Sequence, residues 1–157
     1  MRVVLFGSSK FTESTLYAID KSEHQIISVV TSSNKQSGRG KKLTPAYIKV
    51  IAKKLGYPVL QPNDLSDEVF LQNLRDCYPD IFVVVAFRKL PDSVLTIPKT
   101  FSINLHPSLL PKYRGATPIQ RAIIEGDKIT GISIIKLSSK IDSGNVFFHR
   151  EFKINKN

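Results

Sequence analysis

One segment, DIFVVVA at positions 80–86, constrains the fold of this chain more than any other part of the sequence. A strand with one face in water alternates apolar and polar residues, whereas this segment is apolar without interruption after Asp80. Central strands of parallel sheets have this character, because the connecting helices cover both faces of the sheet. The segment therefore predicts a central strand of an α/β fold.

Shorter strand-like runs and helix-like segments alternate around this strand. Strands are predicted at 3–6, 26–31, 59–60 and 101–105. A first helix would place Phe11, Leu16 and Ile19 on its apolar face, after which SSNKQSGRGKK is expected to be a polar loop. Two further helices are predicted. Thr44 caps the first, which ends before Gly56 and whose inward-facing apolar residues are Tyr47, Val50, Ile51 and Leu55. Ser66 caps the second, whose inward-facing apolar residues are Val69, Phe70 and Leu74.

The pattern changes after Gly126. Two β-rich runs, at 130–137 and 145–154, follow each other with no helical segment between them, so they indicate an antiparallel pair at a sheet edge with Asp142 in its connection. Together these elements predict an α/β protein with a three-layer, open, mostly parallel sheet and an antiparallel edge hairpin.

Length and composition favour one globular domain. The chain has 157 residues, of which 41% are hydrophobic, and contains no apolar run as long as a membrane span and no signal peptide. Cys77 is the single cysteine, so an internal disulfide is excluded, and we expect it to fill space at the end of a helix. These observations predict a cytoplasmic protein without membrane association, and we expect a monomer.

The charge is strongly positive and clustered. Lys and Arg number 23 against 13 Asp and Glu, a net charge of +10, and no acidic residue occurs between Glu23 and Asp64 or between Asp92 and Glu125. Such clustering suggests a polyanionic partner, with nucleic acid ahead of a membrane. Compositional drift in a lysine-rich chain is an alternative explanation for the net charge.

Three polar residues form the most specific candidate site. Asn104 and His106 are two apart on a predicted strand and so project to the same side, at the sheet edge where ligands bind in open α/β folds. Asp142 lies in the hairpin connection. Each of these residues alone would suggest a structural or surface role, as His24 and His149 do. Together, an amide, an imidazole and a carboxylate suit transfer of a one-carbon acyl group, in which donors stabilise an oxyanion and an acid/base moves protons.

These motifs also resemble a known family. The segment NLHPSLLPKYRGATPIQRAIIEGDKITGISIIKLSSKIDSG is similar to the core of the folate-dependent formyltransferases, which have a Rossmann-like fold. The resemblance implies 10-formyltetrahydrofolate as the formyl donor and no metal. It implies that Asn104 and His106 stabilise the oxyanion. It also implies that Asp142 orients His106 and acts as the proton relay. It also implies a folate pocket lined by Arg88, Lys89, Leu90, Ser108, Leu109, Leu110 and Pro111.

A second motif points to the acceptor. SGRGKKLTPAYIKVIAKKLGYPVLQPNDL at 37–65 resembles a loop and helix of the family members that act on methionyl-tRNA, where Gly-Arg-Gly-Lys-Lys-Leu meets the acceptor end of the tRNA. The resemblance implies initiator methionyl-tRNA as the partner, contacted by Arg39, Lys41 and Lys42. A sugar nucleotide or another small molecule is the alternative acceptor.

The resemblance covers almost the whole chain but not the whole of those relatives. Members that act on methionyl-tRNA are longer, and they add further catalytic-domain elements and a small β-barrel that binds tRNA. We therefore expect residues 1–157 to form a formyltransferase catalytic domain whose C-terminal part and tRNA-binding β-barrel domain are absent. A noncatalytic folate- or RNA-binding remnant is the third reading of the chain.

Overall fold

The computed structural model describes residues 1–37 and 42–155, which fall into two compact units, Met1–Ser102 and Ile103–Asn157. In chain order the strands of the first unit are β1 (Arg2–Phe6), β2 (Gln25–Val30), β3 (Lys35–Ser37), β4 (Lys42–Thr44), β5 (Val59–Leu60) and β6 (Ile81–Val85). The helices are α1 (Glu13–Asp20), which follows a 3-10 turn at Lys10–Thr12, α2 (Tyr47–Lys54), α3 (Glu68–Asp76) and the short α4 (Asp92–Leu95).

Four strands of the first unit form its parallel core. β1 pairs with β2 on one side and with β6 on the other, and β2 pairs with β5. Phe82, Val84 and Val85 of β6 are buried, and the rings of Phe6 and Phe82 pack with centroids 5.0 Å apart. The apolar segment at 80–86 is thus a buried parallel strand, as its sequence predicts.

The predicted helix faces are confirmed only in part. Leu16, Phe70 and Leu74 are buried as predicted, but other residues of the predicted faces are exposed. In α2 the buried residues are Ile48 and Ala52, whereas Tyr47 is 43% and Val50 is 54% exposed. Val69 of α3 is 69% exposed and its neighbour Leu71 is buried, and Phe11 is exposed beside the buried Thr12. A helix with a wide apolar stripe can rotate several ways onto a sheet, and tertiary packing selects one of them.

The helix starts and the structure of the basic loop also differ from the prediction. Asp67, and not Ser66, caps α3, with its carboxylate accepting a hydrogen bond of 2.9 Å from the Phe70 amide. Ala46 precedes α2, and Thr44 ends β4 instead of capping a helix. The predicted polar loop contains a strand pair, because β3 and β4 are antiparallel partners. Cys77 does lie at the end of α3, as expected.

The second unit is an antiparallel meander with one helix. Its elements are β7 (Phe101–His106, beginning in the first unit), α5 (Pro118–Ile124), β8 (Ile129–Lys136) and β9 (Val146–Lys153). β8 pairs with β7 and β9, and every residue of β9 is exposed. Asp142 lies in the connection between β8 and β9, which confirms the predicted edge hairpin.

The predicted fold class is confirmed. Seven strands form a mostly parallel sheet with antiparallel edge strands, in the order β5-β2-β1-β6-β7-β8-β9, and helices surround it. The sequence did not indicate α4 or α5, which are short. Within 1–37 and 42–155, no helix is both long enough and apolar enough to cross a membrane.

Candidate active site

The structure brings Asn104, His106 and Asp142 together in the second unit. Asn104 and His106 are two residues apart on β7, and His106 is opposite Ser133 in the antiparallel register with β8. Asp142 reaches them from the turn between β8 and β9, where its backbone has a positive φ of 46°. The side chains of His106 and Asp142 are only 5% and 10% exposed, so solvent screens their interaction weakly.

The carboxylate of Asp142 uses both of its oxygens. Oδ2 lies 3.4 Å from Nδ1 of His106 and accepts a hydrogen bond of 2.9 Å from the Gly115 amide. Oδ1 lies 3.5 Å from Nδ2 of Asn104. The Gly115 contact has ordinary hydrogen-bond length, whereas the two side-chain contacts are longer than usual. Gly115 therefore makes the shortest contact with the carboxylate, and Asn104 and His106 make longer ones.

The other nitrogen of His106 also faces an acceptor. Nε2 lies 2.9 Å from the carbonyl oxygen of Tyr113, which can only accept, so Nε2 carries a proton and donates it. A neutral imidazole has one N–H, whereas the imidazolium form can donate to Tyr113 and to Asp142 together. The two contacts hold the ring plane and leave its Nδ1 edge directed at the carboxylate.

Both of these backbone contacts come from one segment, residues 107–117, which we call the site loop. Tyr113 and Thr117 have positive φ values of 58° and 57°, and Gly115 has φ 87°, a region in which glycine is free of strain. The peptide bond between Leu110 and Pro111 is cis. The hydroxyl of Ser108 donates to the carbonyl of Lys112 over 2.6 Å and closes the loop internally.

The β8 strand anchors the first half of the site loop. The fully buried hydroxyl of Ser133 donates to the carbonyl of Ser108 over 2.6 Å and accepts from the amide of Leu110 over 3.0 Å. Nδ1 of His149 lies 2.9 Å from the same hydroxyl, so this histidine belongs to the anchor. A Cβ at Gly131 would lie 2.5 Å from Leu109, so the absence of a side chain there makes room for the loop.

A polar cluster anchors the second half of the site loop. Asp127, just after α5, accepts two hydrogen bonds of 2.8 Å from the Lys112 ammonium and one of 2.8 Å from the Tyr113 hydroxyl. Hydrogen bonds from Lys112 and Tyr113 hold the pKa of the Asp127 carboxyl below its usual value, and Asp127 raises the pKa of Lys112. Burial, followed by the bond to Asp127, raises the pKa of Tyr113.

Some of the predicted folate residues line a cleft in the first unit. The cleft has a volume of about 410 Å³ and is lined by Asp64, Leu65, Ser66, Arg88, Lys89, Leu90 and Pro91. The guanidinium of Arg88 donates to the carbonyls of Asn63 and Pro62 over 2.8 and 2.7 Å. Arg88 is thus bonded to the chain just before Asp64, and Lys89 is exposed.

The remaining predicted folate residues, Ser108 to Pro111, lie on the site loop. Ser108 and Leu110 are buried, Leu109 is half-buried and Pro111 is exposed. Ser108 uses its hydroxyl within the loop, so the surface that this segment can offer a ligand comes from Leu109, Pro111 and the backbone.

The predicted tRNA contacts stay predictions. Arg39 and Lys41 lie outside the described residues, and Lys42 is described only as the first residue of β4. Across 1–37 and 42–155, no three His, Cys, Asp or Glu residues are grouped so that they could hold a metal ion.

Sequence reasoning found the three side chains of the site but not the groups that hold them. The Tyr113 carbonyl and the Gly115 amide are backbone atoms, so no residue type signals them. The available signal was the glycine in YRGATP, because a glycine in a proline-rich loop indicates a special backbone conformation. Asp127 and Ser133 lie within the segment that resembles the family, but neither their residue type nor their spacing marked them as anchors of the loop.

Comparison with known proteins places these residues in a family. The family model described as formyl transferase matches residues 1–157. A methionyl-tRNA formyltransferase of Porphyromonas gingivalis is 43% identical over 154 residues, which are 98% of this chain and 48% of that protein. The enzyme of the same name from Halothermothrix orenii is 44% identical over 158 residues, 99% of this chain and 50% of that protein. The chain therefore spans about half the length of the curated relatives it matches.

Solved structures share the fold at lower sequence identity. A phosphoribosylglycinamide formyltransferase from Streptococcus pneumoniae has a TM-score of 0.80 at 20% identity, covering 99% of this chain and 84% of that one. A formyltetrahydrofolate deformylase from Pseudomonas syringae has a TM-score of 0.74 at 19% identity, covering 98% of this chain and 51% of that one. These likenesses establish the Rossmann-like fold.

Proposed function

Because this chain belongs to the formyl transferase family, we propose that it transfers a formyl group from 10-formyltetrahydrofolate to the amino group of initiator methionyl-tRNA. The convergence of Asn104, His106 and Asp142 on one point carries this proposal, since it provides the donors and the base that formyl transfer needs. The methionyl-tRNA formyltransferases that are 43% and 44% identical to the chain support the choice of acceptor. We propose that residues 1–157 act as the catalytic domain in translation initiation in the cytoplasm.

The chemistry begins when the methionyl amine attacks the formyl carbon. A carbon–nitrogen bond forms, and the carbonyl oxygen of the formyl group becomes an oxyanion in a tetrahedral intermediate. The long contacts from Nδ2 of Asn104 and Nδ1 of His106 to Asp142 can be exchanged for contacts to this oxygen. Donors aimed at developing charge in a weakly hydrated site stabilise the transition state strongly.

Collapse of the intermediate requires proton transfer. The amine that has attacked carries an extra proton, and the departing folate nitrogen needs one when its bond to the formyl carbon breaks. Asp142 can accept the first proton, directly or through water, and can pass it on while Gly115 holds its Oδ2 in place. One proton leaves the amine and one reaches the folate nitrogen, so the reaction needs no covalent bond between the protein and the formyl group.

The folate donor would use both groups of predicted pocket residues. In the first unit Arg88, Lys89 and Leu90 line a cleft of about 410 Å³, a size suited to part of a folate-like ligand. In the second unit the other predicted folate residues are Leu109 and Pro111 of the site loop, with the backbone that Ser108 and Leu110 fix by hydrogen bonds. The exposed ammonium of Lys89 suits the carboxylates of a folate tail.

The tRNA acceptor would use the basic segment between β3 and β4. Arg39 lies between Gly38 and Gly40, Lys41 and Lys42 follow directly, and the chain carries a net charge of +10. Basic side chains can bind the phosphates of a tRNA, and Arg39 can make forked contacts. This charge favours tRNA over a sugar nucleotide or another small acceptor.

A formylation assay tests the proposal. Purified protein is given 10-formyltetrahydrofolate and either initiator methionyl-tRNA, uncharged tRNA or a panel of amino-sugar nucleotides. We expect formylated methionine only with the charged tRNA, and far less of it with the Asp142→Asn variant. Product from an amino-sugar nucleotide in place of methionyl-tRNA would establish the alternative acceptor, and absence of product from any acceptor would support the noncatalytic reading.

A further inference from the structure

The site loop contacts both members of the His106–Asp142 pair through its backbone. The carbonyl of Tyr113 accepts from Nε2 of His106 over 2.9 Å, and the amide of Gly115 donates to Oδ2 of Asp142 over 2.9 Å. Only one residue separates these two backbone groups. A small rotation of the chain at 113–115 would therefore move both the imidazole and the carboxylate. It would change the long separation between Nδ1 of His106 and Oδ2 of Asp142, across which the pair is proposed to act.

The backbone at this point needs an external restraint. Tyr113 has a φ of 58°, a left-handed conformation that is strained for a non-glycine residue. The Ser108 hydroxyl restrains the backbone at Lys112, and Asp127 restrains the side chains of this segment, because its carboxylate accepts from the Tyr113 hydroxyl and from the Lys112 ammonium, all over 2.8 Å. Asp127 is itself fixed, because its backbone amide donates to the carbonyl of Ala122 at the end of α5 over 3.0 Å.

We infer that Asp127 is a positioning residue for formyl transfer, which acts on the His106–Asp142 pair through Tyr113 and Gly115. The inference rests on the function proposed above. A solvated ion pair would contribute little to stability or activity, but the Asp127 side chain is only 18% exposed and is bonded to two consecutive residues of the site loop. Asp127 contacts neither the candidate catalytic side chains nor any residue of the first-unit cleft by hydrogen bond in the described part of the chain.

The test combines kinetics with a direct view of His106. The variants are Asp127→Ala, Asp127→Asn and Tyr113→Phe, with Asp80→Asn as the matched control. Asp80 is also a partly exposed carboxylate, bonded to Lys99 and to a backbone amide, and hydrogen bonds lower its pKa as they lower that of Asp127. ¹H–¹⁵N spectra of histidine-labelled protein report the ring nitrogens of His106 once His24→Gln and His149→Gln variants have assigned the other two histidines.

We expect Asp127→Ala to lower kcat about tenfold or more while the KM for the folate donor stays within about twofold. The His106 Nε2–H signal should shift and exchange faster with water, because its acceptor is no longer fixed. Tyr113→Phe should change both readouts in the same direction but less than Asp127→Ala does. The effect of Asp127→Asn should lie between those of these two variants, and Asp80→Asn should change neither readout.

The outcomes separate this inference from the proposed function. If no form of the protein transfers formyl groups but the His106 signal still shifts in Asp127→Ala, the proposed function fails and the positioning contact stands. An active protein whose kcat and His106 signal are both unchanged in Asp127→Ala would overturn the inference. If Asp127→Ala does not fold, Tyr113→Phe decides, since it removes one hydrogen bond and keeps the ring.

Discussion

At the scale of single residues, Asp142 has more partners than any other side chain of the candidate site. Its carboxylate faces an amide, an imidazole and a backbone N–H, and its backbone adopts a positive φ that aspartate tolerates better than most residues. The sequence signalled this residue through the DSG turn, and the partners on β7 through their spacing of two. Side-chain spacing on a strand is fixed by geometry, so this part of the site could be predicted.

Replacing Asp142 by Asn tests its role as orienter and proton relay. The amide keeps the size of the side chain but cannot accept a proton, so we expect turnover to fall by about a hundredfold or more with folate binding largely retained. Single-turnover formyl transfer and folate titration measure the two effects separately. Undiminished transfer by Asp142→Asn would end the assignment.

The carboxyl of Asp127 makes stability depend on pH. Hydrogen bonds from Lys112 and Tyr113 hold its pKa in the folded protein below the value of about 4 expected when unfolded. The stabilisation is therefore complete above the unfolded pKa and is lost as pH falls through the folded pKa. We expect the difference in unfolding free energy between the unsubstituted protein and Asp127→Asn to shrink below about pH 4.

Denaturant unfolding at several pH values measures this difference. A Lys112→Met, Tyr113→Phe background provides the control, because it removes both donors to the carboxylate. Asp127→Asn should have no pH-dependent effect there. A difference that stays constant down to the lowest pH at which the protein folds would contradict the cause given for the lowered pKa.

At the scale of elements, strands were more predictable than helices. The parallel strands are short, continuous apolar runs, and burial on both faces leaves little choice about which side chains are inside. The α2 helix has apolar residues around much of its circumference, so its sequence indicated the face of Val50 whereas the structure buries that of Ile48. That choice depends on the sheet beneath the helix, which local sequence does not contain.

The Ser133 hydroxyl should be important for the stability of the site loop. Replacing Ser133 by Ala leaves the Ser108 carbonyl and the Leu110 amide without this buried partner, so we expect the unfolding free energy to fall by about 1–3 kcal/mol. Ser28→Ala is a matched control, since Ser28 is equally buried but makes a single long bond of 3.4 Å to the Pro58 carbonyl. Urea denaturation should show a clearly smaller loss for the control, and equal losses would assign no anchoring role to Ser133.

The basic segment between β3 and β4 should control the salt dependence of tRNA binding. If Arg39, Lys41 and Lys42 contact phosphates, replacing all three with Ala should weaken binding and reduce the slope of log affinity against log salt by roughly 0.7 to 0.9 per lost contact. Replacing the exposed Lys21, Lys128 and Lys153 removes the same charge elsewhere and serves as the control. A slope that changes equally in both triple variants would assign the effect to net charge alone.

At the scale of the whole molecule, protection of the backbone should be uneven. β6 is a buried strand of the parallel core, whereas β9 is exposed at every position and pairs with β8 on one side. Few buried contacts mean a low free energy of local opening. We expect amides in 146–153 to exchange with deuterium well before those in 81–85, and the β8–β9 turn around Asp142 to gain protection when folate binds.

Hydrogen exchange followed by mass spectrometry, with and without folate, checks this expectation. Equal and strong protection of both segments in the free protein would show that β9 is as stable as the core. Fold class could be predicted at this scale because the order of strands and helices decides it. The contacts of Asp127 and Ser133 could not, because they join residues that no sequence period relates.

The positive φ angles of Tyr113, Thr117 and Asp142 have a consequence for protein engineering. A branched residue such as Thr117 stores strain in this conformation, and glycine would release it. The same substitutions would let the backbone sample other shapes around His106. Rounds of selection for heat resistance alone would therefore accumulate changes at these positions and yield robust proteins with poor turnover, so a stabilised form should be sought in the first-unit helices, with the site loop left as it is.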